Sequence, residues 1–193
     1  MVKEKAYAKI NLFLNIVDKR TDGFHDLEMV MASVDLFDML TFELIPDRKI
    51  QIISDVVITE NQEDNLCYKV AKYLQDEFSI KQGVIITIKK EIPIAAGLAG
   101  GSADAAATLR GLNKLWKIGL RLDDLEKIGV LFGSDIPFCV HNRLCVARGK
   151  GEELLFLNKK LNLPILLVNP NIKISTKEVF DQVKKENLIF KKI

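Results

Sequence analysis

The 193-residue chain has little of what metal centres and disulfide frameworks are made from. It carries three cysteines, Cys67, Cys139 and Cys145, and two histidines, His25 and His141. The cysteine count is odd and no CxxC pair occurs, which argues against a disulfide scaffold and against a zinc site. Cys139 and Cys145 read as small core residues, and the setting as a reducing cytoplasm. Charge of one sign is lacking too. With 28 basic and 26 acidic residues the net charge is +2, so nothing points to a nucleic-acid partner. No apolar run reaches membrane length, so no membrane partner is expected. The N-terminal MVKEKAYAKINLFLNIV breaks its apolar positions with Lys9, Asn11 and Asn15, a strand pattern rather than a signal peptide. What remains is 48% hydrophobic and 28% charged, the composition of a chain with a sizeable core. Oligomeric state cannot be read from it.

Periodicity divides the chain into alternating elements. Ala8, Ile10, Leu12, Leu14 and Ile16 alternate with Lys9, Asn11, Phe13 and Asn15, predicting a strand with Lys9 and Asn11 on one face. Residues 20–23 read as a turn, and residues 24–34, 38–45 and 49–54 as further strands. Leu66, Val70, Leu74 and Phe78 recur every four residues and predict a helix capped by Asp64 or Asn65. A strand at 83–89 precedes a helix over about 102–116 with the stripe Ala105, Leu109, Leu112 and Trp116. A shorter helix is expected over 123–132 and a hairpin over 143–157 turning at Gly149-Lys150-Gly151. Residues 163–168 read as a strand, and Ser175 to Glu178 as a capping box opening a last helix. The polar stretch 158–162 suggests a boundary. One strand and one helix beyond it are too little to bury a core of their own.

Between the strand at 83–89 and the following helix lies Pro93-Ile94-Ala95-Ala96-Gly97-Leu98-Ala99-Gly100-Gly101-Ser102-Ala103. Glycines let a ligand approach the backbone, and the unpaired N–H groups at a helix start attract an anion. Ser102 adds a hydroxyl suited to phosphate or Mg²⁺. The bland alternative is a flexible turn into a well-packed, alanine-rich helix. Other phosphate and catalytic motifs fit poorly. No GxxxxGK[ST], dinucleotide GxGxxG, protein-kinase HRD/DFG set or GxSxG elbow is present.

This loop, together with Ala8-Lys9-Ile10-Asn11, Asp22-Gly23-Phe24-His25 and Gly133-Ser134-Asp135-Ile136-Pro137-Phe138, resembles the GHMP kinase superfamily over essentially the whole chain. The resemblance implies an α+β fold: a mixed sheet with an unusual left-handed βαβ unit in an N-terminal ATP-binding domain over 1–157. An incomplete C-terminal α+β domain would begin at 158–193. It implies transfer of a phosphoryl group from ATP, with Mg²⁺, to a small alcohol linked to cytidine diphosphate. Lys9 and Asp135 match the family's catalytic positions. Residues 93–103 match its nucleotide loop, with Ser102 as a metal contact, and Asn11, Phe24 and His25 match the substrate side. Phe24 stands where the family usually has tyrosine, which keeps the stacking face and loses the hydroxyl. Ala99 and Ala103 replace the commoner glycine and serine.

Each of these residues also has a plainer reading. Lys9 reads as an exposed strand lysine and Asn11 as a strand asparagine bonded to a loop. Asp135 reads as a cap or turn aspartate, expected on a non-helical loop because Pro137 biases Ile136 toward extended backbone. Phe180 reads either as a second wall of a base sandwich or as a core aromatic with Val179 and Val183. Asn65 and Leu66, with Lys89, lie where such kinases place adenine, although Asn65 serves equally well as a helix cap. The family's third glycine-rich motif is missing after Leu163. This leaves two other readings: a kinase for a different small alcohol, or a truncated, non-catalytic ATP-binding remnant.

Overall fold

A long hairpin organises the protein. In the computed structural model, which describes residues 1–159, 161–170 and 176–183, β1 (Val2–Lys19) runs antiparallel to β2 (His25–Ile45). The turn between them is closed by Arg20 N–H to Phe24 O at 2.8 Å and Gly23 N–H to Arg20 O at 3.2 Å. The sequence suggested two strands at 24–34 and 38–45, yet β2 is continuous. The expected break at residues 35–37 falls at a register irregularity instead: between the pairs Tyr7–Phe37 and Lys9–Ser33, Ala8 alone faces residues 34–36, and the strand continues.

The expected alternation along β1 holds only at its start. Ala6 and Ala8 are buried, whereas Leu12, Phe13 and Leu14 are all at least 40% exposed. The pairing passes from Asn11–Met31 to Phe13–Val30, leaving Leu12 as an extra residue. Such a bulge flips every later side chain to the other face.

The remaining strands extend the sheet. β3 (Ile50–Ser54) is parallel to β4 (Gly83–Lys89), and the connection between them is α1 (Leu66–Glu77). β4 pairs antiparallel with the far half of β2, and β5 (Cys145–Arg148) with its near half. β6 (Glu153–Phe156) closes the expected hairpin with β5. The result is a mixed sheet of order β3-β4-β2-β5-β6, with β1 also on β2.

Helices cover one side. α2 (Gly100–Leu115) lies against β1 and β2 through Ala103, Ala105, Ala106, Ala107, Leu109 and Leu112, all buried. The alanine run lets the helix approach the sheet closely. α3 (Leu122–Val130) and α4 (Ile136–His141) pack beside it. α4 corrects the reading of residues 135–138. Ile136 is helical rather than extended, because Pro137 sits in the first turn, where its missing N–H costs no hydrogen bond.

Residues 161–170 carry no regular structure and are exposed, so the strand expected at 163–168 is not formed. No described strand edge pairs with it, and an unpaired strand is not stable in water. α5 (Thr176–Asp181) appears where a helix was expected, while Ser175 of the capping box lies outside the described residues. No helix among the described residues is long and apolar enough to cross a membrane.

Candidate active site

The glycine-rich stretch forms an open loop from the end of β4 to the start of α2. Ala95, Gly97 and Ala99 take positive φ values of 56°, 73° and 55°. Left-handed backbone at an alanine costs on the order of 1–2 kcal/mol, so the shape is held by its surroundings. The residue before α2, Ala99, has no side chain to cap the helix, leaving the first-turn N–H groups to an external acceptor. The space beside the loop is open. A Cβ on Gly97 would meet nothing within 4 Å, and one on Gly101 only Leu66 Cδ1 at 3.9 Å. An uncapped helix start, left-handed residues at every second position and open space fit an anion such as phosphate.

Lys9 is brought to this loop by the backbone. Its N–H donates to Leu98 O at 3.1 Å, docking β1 against the loop. Its ammonium, only 8% exposed, lies 3.4 Å from Asp135 Oδ1 and donates to Asn11 Oδ1 at 3.3 Å. Lys9 is therefore a buried, paired cation rather than a free strand lysine. Asp135 occupies the cap position of α4 but makes no cap hydrogen bond, so its carboxylate points to Lys9 instead. Arg110 fixes this juxtaposition. From α2 it donates to Glu4 and to Lys5 O on β1, and to Cys139 O on α4, at 2.7–3.1 Å. Ser33 on β2 donates to Asn142 Oδ1 at 3.4 Å, just after α4.

The sequence reading missed a buried ionic cluster below the loop. Lys90 Nζ contacts Asp38 Oδ2 at 2.5 Å and Asp104 Oδ2 at 2.7 Å. Asp38 Oδ1 accepts the N–H groups of Glu91 and Ile92 at 2.6 and 2.8 Å. Burial, reinforced by the Asp38 charge and opposed by Lys90, pushes the Asp104 carboxyl up to about 7. Burial works to lower the Lys90 ammonium, but the two carboxylates outweigh it and hold it above its ordinary value. The available signal was an aspartate inside each of two apolar runs, at 38 and 104, with a lysine at the strand end.

The other candidate contacts lie at the hairpin turn. His25 is 8% exposed, stacks on Phe180 at 5.2 Å between ring centroids, and its Nε2 has no partner among the described residues. Phe180 is thus a wall beside His25. Phe24 is 58% exposed, with Lys150 Nζ 4.9 Å from its ring centroid, a cation no sequence pattern suggested. From His25 to Ser33, the register partner of Lys9, β2 spans at most about 27 Å. His25 and Asp135 therefore belong to two ends of an elongated surface.

Asn65 caps α1 by accepting Cys67 N–H at 2.8 Å, and Lys89 pairs with Glu91 at the surface. All three cysteines are buried and unpaired; burial pushes the Cys67 and Cys139 thiols far up and Cys145 to about 11. His141 Nε2 lies in hydrogen-bond contact with Glu126 Oε2 at 2.6 Å.

A mixed sheet with an uncapped glycine loop and a lysine–aspartate pair beside it defines an α+β protein with a candidate anion site, and its likeness to known proteins is extensive. Residues 65–143 match the family described as GHMP kinases N terminal domain. A Staphylococcus aureus (strain MRSA252) protein, named as a candidate 4-diphosphocytidyl-2-C-methyl-D-erythritol kinase, is 48% identical over 180 residues. Those residues are 93% of this chain and 64% of that protein. A crystal structure of 4-(cytidine 5'-diphospho)-2C-methyl-D-erythritol kinase is similar at 31% identity with a TM-score of 0.78, covering 96% of this chain and 66% of the other. Homoserine kinase from Cytophaga hutchinsonii shares the fold at 17% identity, with a TM-score of 0.66 over 95% of this chain and 60% of that one. The chain thus spans about 64% of the length of the first curated relatives it matches.

Proposed function

We propose that this chain is the nucleotide- and acceptor-binding part of a kinase that phosphorylates the 2-hydroxyl of 4-diphosphocytidyl-2-C-methyl-D-erythritol, in the non-mevalonate route to isoprenoids. The observation that carries the reading is the Lys9–Asp135 pair at 3.4 Å beside the uncapped loop, with a half-built base pocket at the far end of the hairpin. In this reading residues 1–157 form the N-terminal domain and residues 158–193 begin the C-terminal one. Three unpaired, buried cysteines support a reducing, cytoplasmic setting.

Residues 93–103 hold the ATP phosphates through backbone N–H groups. Mg²⁺, when bound, neutralises phosphate charge, and Ser102 in the first turn of α2 is the side chain suited to contact it. Asp135 orients the acceptor hydroxyl and takes its proton as the oxygen attacks the terminal phosphorus and the bond to ADP breaks. Lys9 offsets charge on the transferring group, and Asn11 keeps its ammonium aimed. Phe24 supplies an aromatic face for cytosine, and His25 Nε2 offers an unused polar atom to the base edge. The span from His25 to Asp135 favours an elongated nucleotide-linked alcohol over a compact one.

The test is ADP release by the purified 193-residue chain with ATP and the cytidyl substrate, beside mevalonate and homoserine. Turnover confined to the cytidyl substrate is expected, and Asp135→Asn should cut kcat by about 10²–10⁴. Turnover of a compact alcohol instead would refute the substrate. Because the chain spans 64% of its curated relatives, a second reading is ATP binding without turnover. A longer chain regaining activity supports that reading; no turnover in either sinks the enzyme.

A further inference from the structure

We propose that Lys90, gripped by Asp38 and Asp104, is a positioning residue for the glycine loop, clamping its two ends and setting the spacing of the N–H groups it offers. Its consequence for phosphate binding rests on the function proposed above. The loop's incoming end is tied where Asp38 accepts the N–H groups of Glu91 and Ile92. Its outgoing end is tied at Asp104, one turn inside α2, through Lys90. Gly100 crosses directly over the clamp. A Cβ there would stand 3.1 Å from Ile92 Cγ2 and 3.4 Å from Lys90 Nζ.

Stability does not account for such a cluster. The side chains of Lys90, Asp38 and Asp104 are 6%, 0% and 4% exposed, and desolvating each ion costs several kcal/mol. Apolar residues of similar volume in place of a buried ion pair are often neutral or stabilising. Ionic contacts instead fix direction: β2, the end of β4 and the start of α2 are held at one set of distances. Between the two ties Ala95 and Ala99 keep positive φ, which alanine leaves when free to do so. Releasing the clamp lets them relax, and the N–H groups turn away.

The test is the triple variant Lys90→Met/Asp38→Asn/Asp104→Asn. It removes all three charges at similar volume and leaves an amide oxygen at position 38 to accept from the Glu91 and Ile92 N–H groups. Thermal melting establishes folding. Amide exchange of residues 91–103 should then quicken about tenfold, with β1 and β2 unchanged. ATP affinity should fall about tenfold, with KM for ATP raised and kcat within about threefold. Loop exchange and affinity both within twofold of wild type in the folded variant would overturn the clamp. If wild type binds no ATP, the nucleotide reading falls, and loop exchange alone decides the clamp. Should the triple variant not fold, Asp104→Leu alone, which removes the outgoing tie at similar volume and keeps the Lys90–Asp38 pair, is measured the same way. Faster loop exchange supports the clamp, and exchange identical to wild type overturns it.

Discussion

Replacing Asp104 by asparagine should make stability less sensitive to pH. In the folded chain its carboxyl keeps a proton up to about pH 7, because burial and Asp38 oppose its charge; the ordinary value is 3.8. Between those values the folded state binds more protons than the unfolded state, so this group's contribution falls as pH rises. The difference corresponds to roughly 4 kcal/mol over the whole interval, of which more than half falls between pH 5 and pH 8. Asparagine mimics the neutral form, and its oxygen can still accept from Lys90. Melting curves of wild type and Asp104→Asn at pH 5, 6.5 and 8 test this. The variant's Tm relative to wild type should rise by about 5–10 °C between the two extremes. A constant difference across the series would mean that Asp104 is ionised throughout, and that Lys90 outweighs burial.

Two further outcomes follow from the geometry. Gly111→Ala would place a Cβ 2.3 Å from the fully buried Phe42 ring. Because α2 or the ring must shift, a loss of about 1–3 kcal/mol in a denaturant titration is expected, and an unchanged midpoint would contradict the packing. Lys9→Ala should lower kcat by about 10²–10³ while ATP affinity changes by less than a few-fold. Equal losses in both would show that Lys9 serves binding rather than transfer.

Much of the fold was legible because its signals are local. Leu66, Val70 and Leu74 marked α1, and the strand–glycine–helix succession marked the loop before its left-handed residues were seen. Errors arose where tertiary partners reversed a local rule. The continuity of β2 across residues 35–37 was hidden because the irregularity there exists only relative to β1. The Leu12 bulge cannot be seen in β1 alone, since it exists only relative to β2. Pro137 misled about α4 because a proline disfavours the preceding residue's helical backbone yet is tolerated in a first turn.

The site divides in the same way. Residue types and spacing pointed to the glycine-rich loop as a candidate anion site, whereas Lys9, Asp135 and His25 were singled out only by the resemblance to the GHMP kinases. Only the tertiary structure decided that Lys9 is buried against Asp135, that Phe180 backs His25, and that Lys90 with two distant aspartates lies beneath the loop. Those contacts join residues far apart in the chain, and charge pairing in a buried place depends on which elements the sheet brings together.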